Sequence, residues 1–210
     1  MSTIADAIAM VRRMVDDTST SHRCAPDDLS YQVDGTKKTF VSSNGNVLAG
    51  ALASVDGAAP AAVTPTDAAF GMFAFATAPV VTLELFYNYQ WFTDTDMGAF
   101  IDQALSEMNY TQTDLATAIP SALYTAMGHL AAAAAFENLM SRFARQFSSS
   151  VEGQSYEKSD VFRAYKDARD KNQERGKSIR DDYWKAQGRS YKPAYGTTYN
   201  RRPQFPQPGR

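Results

Sequence analysis

From about residue 29 to residue 92 the chain carries turn dipeptides and runs of β-branched and aromatic residues. On both sides of that stretch the apolar residues recur at helical spacing instead. This change of period constrains the fold most, because a strand pattern does not settle as a helix, nor a helical pattern as a strand. Asp34-Gly35 separates residues 29–33 from residues 37–41, which predicts two strands joined by a hairpin turn. Asn44-Gly45 and Asp56-Gly57 are further turn signals, and Pro60 and Pro65 punctuate a loop of small residues. Residues 70–75 alternate aromatics with small residues and a methionine, and residues 80–91 are rich in β-branched and aromatic types. Both read as strands. The expectation is a small antiparallel sheet or meander over residues 24–92, inserted between helices.

The helical segments carry start and stop signals. Residues 2–17 read as an amphipathic helix capped by Ser2 or Thr3, with Ile4, Ile8, Val11 and Val15 on one face and residues 18–21 ending it. The first segment of the chain is therefore residues 1–23. Thr93 caps a second helix, with Asp94 and Asp96 at the positive end of its dipole. Met97, Ile101, Leu105 and Met108 form its apolar stripe. A short helical piece is expected near residues 113–117. Pro120 then opens a third helix over residues 121–147, with Leu123, Met127, Leu130, Leu139, Phe143 and Phe147 as its stripe. Its alanines at 131–135 admit a close neighbour and place it at the centre of a bundle. After a loop at 148–153, a fourth helix runs from near Ser155 or Ser159 to about Gln187. Val161, Tyr165 and Ala168 are its packing residues. Seventeen of the 33 residues from 157 to 189 are charged, so this helix is expected to project from its domain. Residues 93–188 thus form a mainly α-helical bundle.

The last segment, residues 189–210, holds five basic residues and no acidic one, together with Tyr191, Tyr195, Tyr199 and Phe205. Prolines at 193, 203, 206 and 208 exclude a helix or a central strand over most of it. It is too short for a core of its own, yet its aromatics are many for a solvated tail. It reads as an extended arm that docks on another surface, with a frayed terminus as the plain alternative. Tyr191, Lys192, Tyr195, Tyr199, Arg201, Arg202, Phe205 and Arg210 are the candidate partner-binding residues.

Charge divides the chain. Residues 157–210 carry 14 basic and 7 acidic residues, whereas residues 1–156 carry 7 and 16. Head-to-tail assembly, a basic end facing nucleic acid or an acidic partner, and a charged helix in water all fit this division. No apolar run reaches the roughly 20 residues of a membrane span. The N-terminus lacks a signal-peptide pattern, and a single cysteine, Cys24, excludes an internal disulfide. A protein made and assembled in cytosol is expected.

Few residues suggest chemistry. His22 and Cys24 lie two apart with no second Cys/His pair, which is poor for zinc, and His129 sits in a helical stripe where packing is expected. Gly176-Lys177-Ser178 resembles the end of a phosphate-binding loop, but position 171 is lysine and the context is a charged helix. Asp94 and Asp96 are explained by a helix start. The expectation is no enzyme, no cofactor and no metal. A DNA-binding module using residues 157–210 would grip phosphates and stack bases, although the sequence pI of about 5.7 opposes it.

The order of segments resembles the tailed-bacteriophage head–tail connector (adaptor) proteins. The resemblance rests on the insertion around Val55-Asp56-Gly57 and Gly71-Met72-Phe73-Ala74-Phe75-Ala76-Thr77-Ala78-Pro79, and on Leu85-Phe86-Tyr87-Asn88-Tyr89-Gln90-Trp91-Phe92-Thr93-Asp94 passing from strand to helix. The alanine-rich helix from Ala122 and the segment Gly153-Gln154-Ser155-Tyr156-Glu157-Lys158-Ser159-Asp160 complete it. It implies a small helical bundle that assembles as a ring, often twelve-fold, beneath the portal protein. The C-terminal helix and arm would reach the portal, and a neck or tail protein would lie below. Genomic DNA would pass through the lumen without its sequence being read. The implied location is the head–tail interface of the virion, reached from host cytoplasm, with no membrane involved. A stopper or tail-completion protein is the alternative within the same assembly.

Overall fold

A computed structural model describes residues 3–20, 22–147 and 155–188, with side chains described outside 143–160. Among the described residues four α-helices accompany antiparallel strands, so the fold is mixed rather than simply mainly α. The described residues form two compact units, one within residues 8–98 and one within residues 1–7 and 99–188.

Helix α1 (Ile4–Met14) starts at Thr3, whose backbone N–H donates to Asp6 Oδ2 (2.8 Å) while the Asp6 N–H donates to Thr3 Oγ1 (3.2 Å). This reciprocal cap satisfies orphan donors of the first turn. The helix ends three residues sooner than its apolar spacing predicts. Asp16 adopts a left-handed φ of 55°, and the Asp17 N–H bonds back to the Arg12 carbonyl (2.9 Å). That is a Schellman closure with aspartate at the place glycine usually takes.

Among the described residues, the unit of residues 8–98 contains six strands: β1 (His22–Asp28), β2 (Thr39–Val41), β3 (Leu52–Val55), β4 (Ala61–Ala62), β5 (Met72–Ala74) and β6 (Leu83–Tyr89). One sheet has the order β1-β6-β3-β4, and β2 pairs with β5 in a second; every pairing is antiparallel. This is not a meander, because the first and last strands are neighbours, with His22 opposite Tyr89. The chain therefore enters and leaves the sheet at one place. Strand β1 is invisible in the sequence pattern. It holds Pro26 and two aspartates, which an edge strand tolerates, and it bulges between Cys24 and Asp27.

The predicted hairpin across Asp34-Gly35 does not form. Residues 30–32 make a short 3-10 turn, with the Ser30 N–H donating to Asp28 Oδ1 (2.9 Å). The turn at 34–37 exists, held by Asp34 Oδ1, but β2 pairs with distant β5. Burial decides this: Phe40 and Phe73 are both fully buried and lie opposite each other in that pairing, so each strand brings its aromatic to the same core. Leu29, Val47, Ala53, Leu83, Leu85 and Tyr87 fill the rest. Gly71, with φ of 65°, closes the approach to β5; a Cβ there would meet the Asn44 carbonyl at 2.5 Å.

Helix α2 (Asp94–Glu107) begins at a second reciprocal cap between Thr93 and Asp96. In the other unit, Ile101, Leu105 and Met108 of the expected stripe are fully buried. The short piece near residue 113 is a 3-10 turn (Gln112–Ala116) capped by Thr111 and Asp114. Helix α3 (Ser121–Phe147) has the predicted bounds, and helix α4 runs Ser155–Ala186. Leu123, Ala126, Met127, Ala131, Ala132 and Ala135 of α3 are fully buried.

Helix α4 departs from expectation. It lies against α3 well beyond Ala168. Asn172, Gly176 and Arg180 continue the contact stripe at four-residue intervals, with Gly176 and Arg180 buried, while Val161 is 42% exposed. The stripe is unreadable by hydropathy because its members are small or polar. Glycine brings the helices close enough that a Cβ at 176 would meet Leu130 Cγ at 2.8 Å and the Ala126 carbonyl oxygen at 3.1 Å.

Candidate functional site

The eight arm residues, Tyr191, Lys192, Tyr195, Tyr199, Arg201, Arg202, Phe205 and Arg210, lie outside the described residues, as does the expected loop at 148–153. What is described is the helix that leads to the arm. Its last turns carry Tyr183 and Trp184 in an edge-to-face contact of 5.2 Å, and the buried Trp184 indole N–H has no hydrogen-bond partner among the described residues. Gly188, with φ of 67°, closes the helix through its N–H to the Lys185 carbonyl (2.9 Å).

Within the unit of residues 8–98, a buried ionic cluster fastens the entry of the sheet to its exit. Asp17 is fully buried. It accepts from the backbone N–H groups of Trp91 (2.6 Å) and Phe92 (3.2 Å) and pairs with Arg12 Nη1 (2.8 Å). Arg12 Nη2 donates to the Phe92 carbonyl (3.0 Å) and to Asp94 Oδ1 (2.8 Å). One guanidinium thus bridges three points of chain, as its planar fork of donors permits. Burial pushes the Asp17 carboxyl above its usual range, against the opposing pull of the amides and Arg12. His22 stacks on Trp91 with ring centroids 3.9 Å apart, its Nε2 3.5 Å from Asp17 Oδ1. Asp94, an expected helix-start residue, also acts as an ion-pair partner, and Asp96 is the capping residue.

A second polar network pins the loop after β2 to the sheet. Tyr87 donates to Asp27 Oδ2 (2.7 Å), Ser43 donates to the same carboxylate through N and Oγ, and the Asn44 N–H donates to the Tyr87 hydroxyl (3.2 Å). Burial, with the neighbouring Asp27, raises the Tyr87 hydroxyl far above the ordinary tyrosine range. Cys24, on the adjacent strand, is likewise raised by burial. In the other unit His129 Nδ1 lies 2.8 Å from Asn172 Oδ1. The Asn172 amide nitrogen donates to the Ala168 carbonyl, so its oxygen faces the imidazole and Nδ1 carries the proton. Both histidines are occupied in packing, and Gly176-Lys177-Ser178 lies within α4 rather than in a phosphate-binding loop. Among the described residues no group of three or more His, Cys, Asp or Glu is placed to hold a metal ion, and no helix is long and apolar enough to cross a membrane.

The outer face of the four-stranded sheet has features the sequence reading passed over. Side chains alternate along β6: Leu83, Leu85 and Tyr87 point into the core, and Glu84, Phe86 and Asn88 face the other way. Phe86 stands opposite Leu52, which is 39% exposed and in turn faces Ala62, so an apolar row crosses three strands. Beside it an open groove of about 350 Å³ is lined by Thr20, Arg23, Gly50, Leu52, Phe86 and Asn88. At one end of this face Asp28 stands opposite Glu84. Asp56 lies at the same end, its carboxylate accepting the N–H groups of Val80, Val81 and Thr82, with Val80 and Val81 each 67% exposed. Those amides hold Asp56 below the usual carboxylate range, and Ser30 does the same for Asp28. The available signal was Phe86 itself, an aromatic at a polar-face position of a clean alternation.

No protein-family model, curated protein or solved structure matches this chain.

Proposed function

We propose that this chain is a structural adaptor of a tailed-phage neck. In this reading a mainly α-helical bundle carries an inserted sheet and assembles as a ring, twelve-fold as in the proteins it resembles. The ring docks under the portal, meets a neck or tail protein below and lets DNA pass through its lumen. It has no enzymatic role. The observation that carries the proposal is the side-by-side entry and exit of the sheet, with His22 opposite Tyr89 and Arg12 bridging Asp17, Phe92 and Asp94. That is how an insertion is built into a helical chain. Its place in the order of elements, followed by the α3–α4 pair and then the basic arm, agrees with the segment order behind the resemblance.

Large aromatic and arginine side chains supply most of the binding energy at many protein interfaces, and the arm is built of them. The test is deletion of residues 189–210. The shortened chain should keep its helical circular dichroism and lose binding to the portal protein. Unchanged portal binding would remove the arm from that role. A labelled copy imaged in native particles should lie in the layer next to the portal; density one layer further out assigns the chain to the stopper position.

A further inference from the structure

From the outer face of the four-stranded sheet we infer a ring contact: it receives the C-terminal arm, residues 189–210, of a second copy of this chain. The inference rests on the neck-ring reading and gives the inserted sheet a partner, in addition to the portal contact that the resemblance implies for the arm. The face combines an apolar row, Phe86, Leu52 and Ala62, with an acidic end formed by Asp28, Glu84 and Asp56. Like charges on directly paired strand positions repel, and none of these three carboxylates has an ion-pair partner among the described residues. Residues 8–98 as a whole carry five basic and ten acidic residues. A basic occupant with apolar anchors is the chemistry that fits.

The arm has five basic residues, no acidic one, and aromatics interspersed with prolines, which exclude a helix over most of it. Its 22 residues reach about 70 Å when extended, whereas four strands are only about 15 Å across. The first part of the arm therefore suffices to cross a neighbour's sheet, and the distal part stays available to the portal. A ring needs a heterologous contact of this kind, in which one surface of a subunit meets a different surface of the next.

The test is sedimentation equilibrium of the full chain, without portal, beside its Glu84→Lys and Leu52→Glu variants. Both positions lie on the outer face, and unchanged circular dichroism confirms their folding. The full chain should self-associate, less strongly as salt is raised, with the dissociation constant at least tenfold higher in each variant. Amide hydrogen exchange should show the arm protected in the associated protein and unprotected in the variants. A chain that stays monomeric, association that ignores both substitutions, or an arm equally protected in the dilute monomer each overturns the inference. Portal binding reads out separately. Self-association without portal binding counts against the neck role alone, and portal binding by a chain that does not self-associate counts against this contact alone.

Discussion

Replacing Gly176 by alanine is expected to destabilise the α3–α4 pair, although alanine is the better helix former. In a solvated helix the substitution stabilises by about 1 kcal/mol. Here the new Cβ would lie 2.8 Å from Leu130 Cγ, 3.0 Å from its Cδ2 and 3.1 Å from the Ala126 carbonyl oxygen. The first contact involves the branch point of a leucine that is only 6% exposed, and the last involves backbone, so neither neighbour yields by a simple rotation. Overpacking of this kind costs about 1–3 kcal/mol, so the net loss is about 1 kcal/mol. The diagnostic experiment is a double-mutant cycle with Leu130→Ala. That change alone costs about 2–5 kcal/mol, but it removes the two closest contacts and leaves only the Ala126 carbonyl oxygen at 3.1 Å. In its background Gly176→Ala should become stabilising, giving a coupling of about 1–2 kcal/mol. Exchange of the slowest amides of α3 and α4 measures this unit without interference from the other. If Gly176→Ala stabilises by the full helix-propensity increment in both backgrounds, the close approach of the helices at residue 176 is refuted.

Three further outcomes follow from the sheet unit. Arg12→Ala should lower its stability by about 3–5 kcal/mol, since a fully buried Asp17 is left without its cation; denaturant unfolding should show the double variant Arg12→Ala/Asp17→Ala losing less than the sum of the singles. Tyr87→Phe should cost about 1–3 kcal/mol by leaving the Asn44 amide without its acceptor and removing one donor from Asp27, which keeps Ser43. Because the Tyr87 hydroxyl is held protonated far above its ordinary value, the absorbance titration of the folded variant up to pH 11 should match that of the parent. Asp56 has a folded pKa below its unfolded value, so its contribution is present above about pH 3.8 and lost as pH falls through the folded pKa. Asp56→Asn should therefore be less stable than the parent at pH 6, with the gap closing below pH 4; a gap constant with pH would show that the carboxylate charge is not what holds Val80, Val81 and Thr82.

The elements most legible in the sequence were those whose formation depends on local chemistry. Thr93 with Asp96 marks the start of α2, and Pro120 with the alanine run marks α3, because caps and helical spacing act within a turn or two. The strand from Leu83 to Tyr89 was visible within residues 80–91 through their β-branched and aromatic content. Failures came where a partner distant in sequence decides. Residues 22–28 become a strand only because β6 offers them a ladder, and residues 29–33 turn because Leu29 is buried beside Leu83. For the candidate sites, the arm is a reading of composition alone and lies outside the described residues. The outer sheet face was hidden until pairing set Phe86 beside Leu52 and Asp28 beside Glu84.

By itself the sequence determined where helices begin, which stretch is β-rich, how charge divides along the chain and that its last 22 residues cannot make a core. These follow from backbone sterics, capping and hydropathy period, all of which act between near neighbours. The tertiary structure alone decided that β1 closes against β6, that Arg12 and Asp17 weld the entry of the sheet to its exit, and that α4 packs through Asn172, Gly176 and Arg180. Each of those depends on burial shared by residues tens of positions apart. A side chain becomes a contact, a clash or an ion pair only when the partner that excludes water from it has arrived.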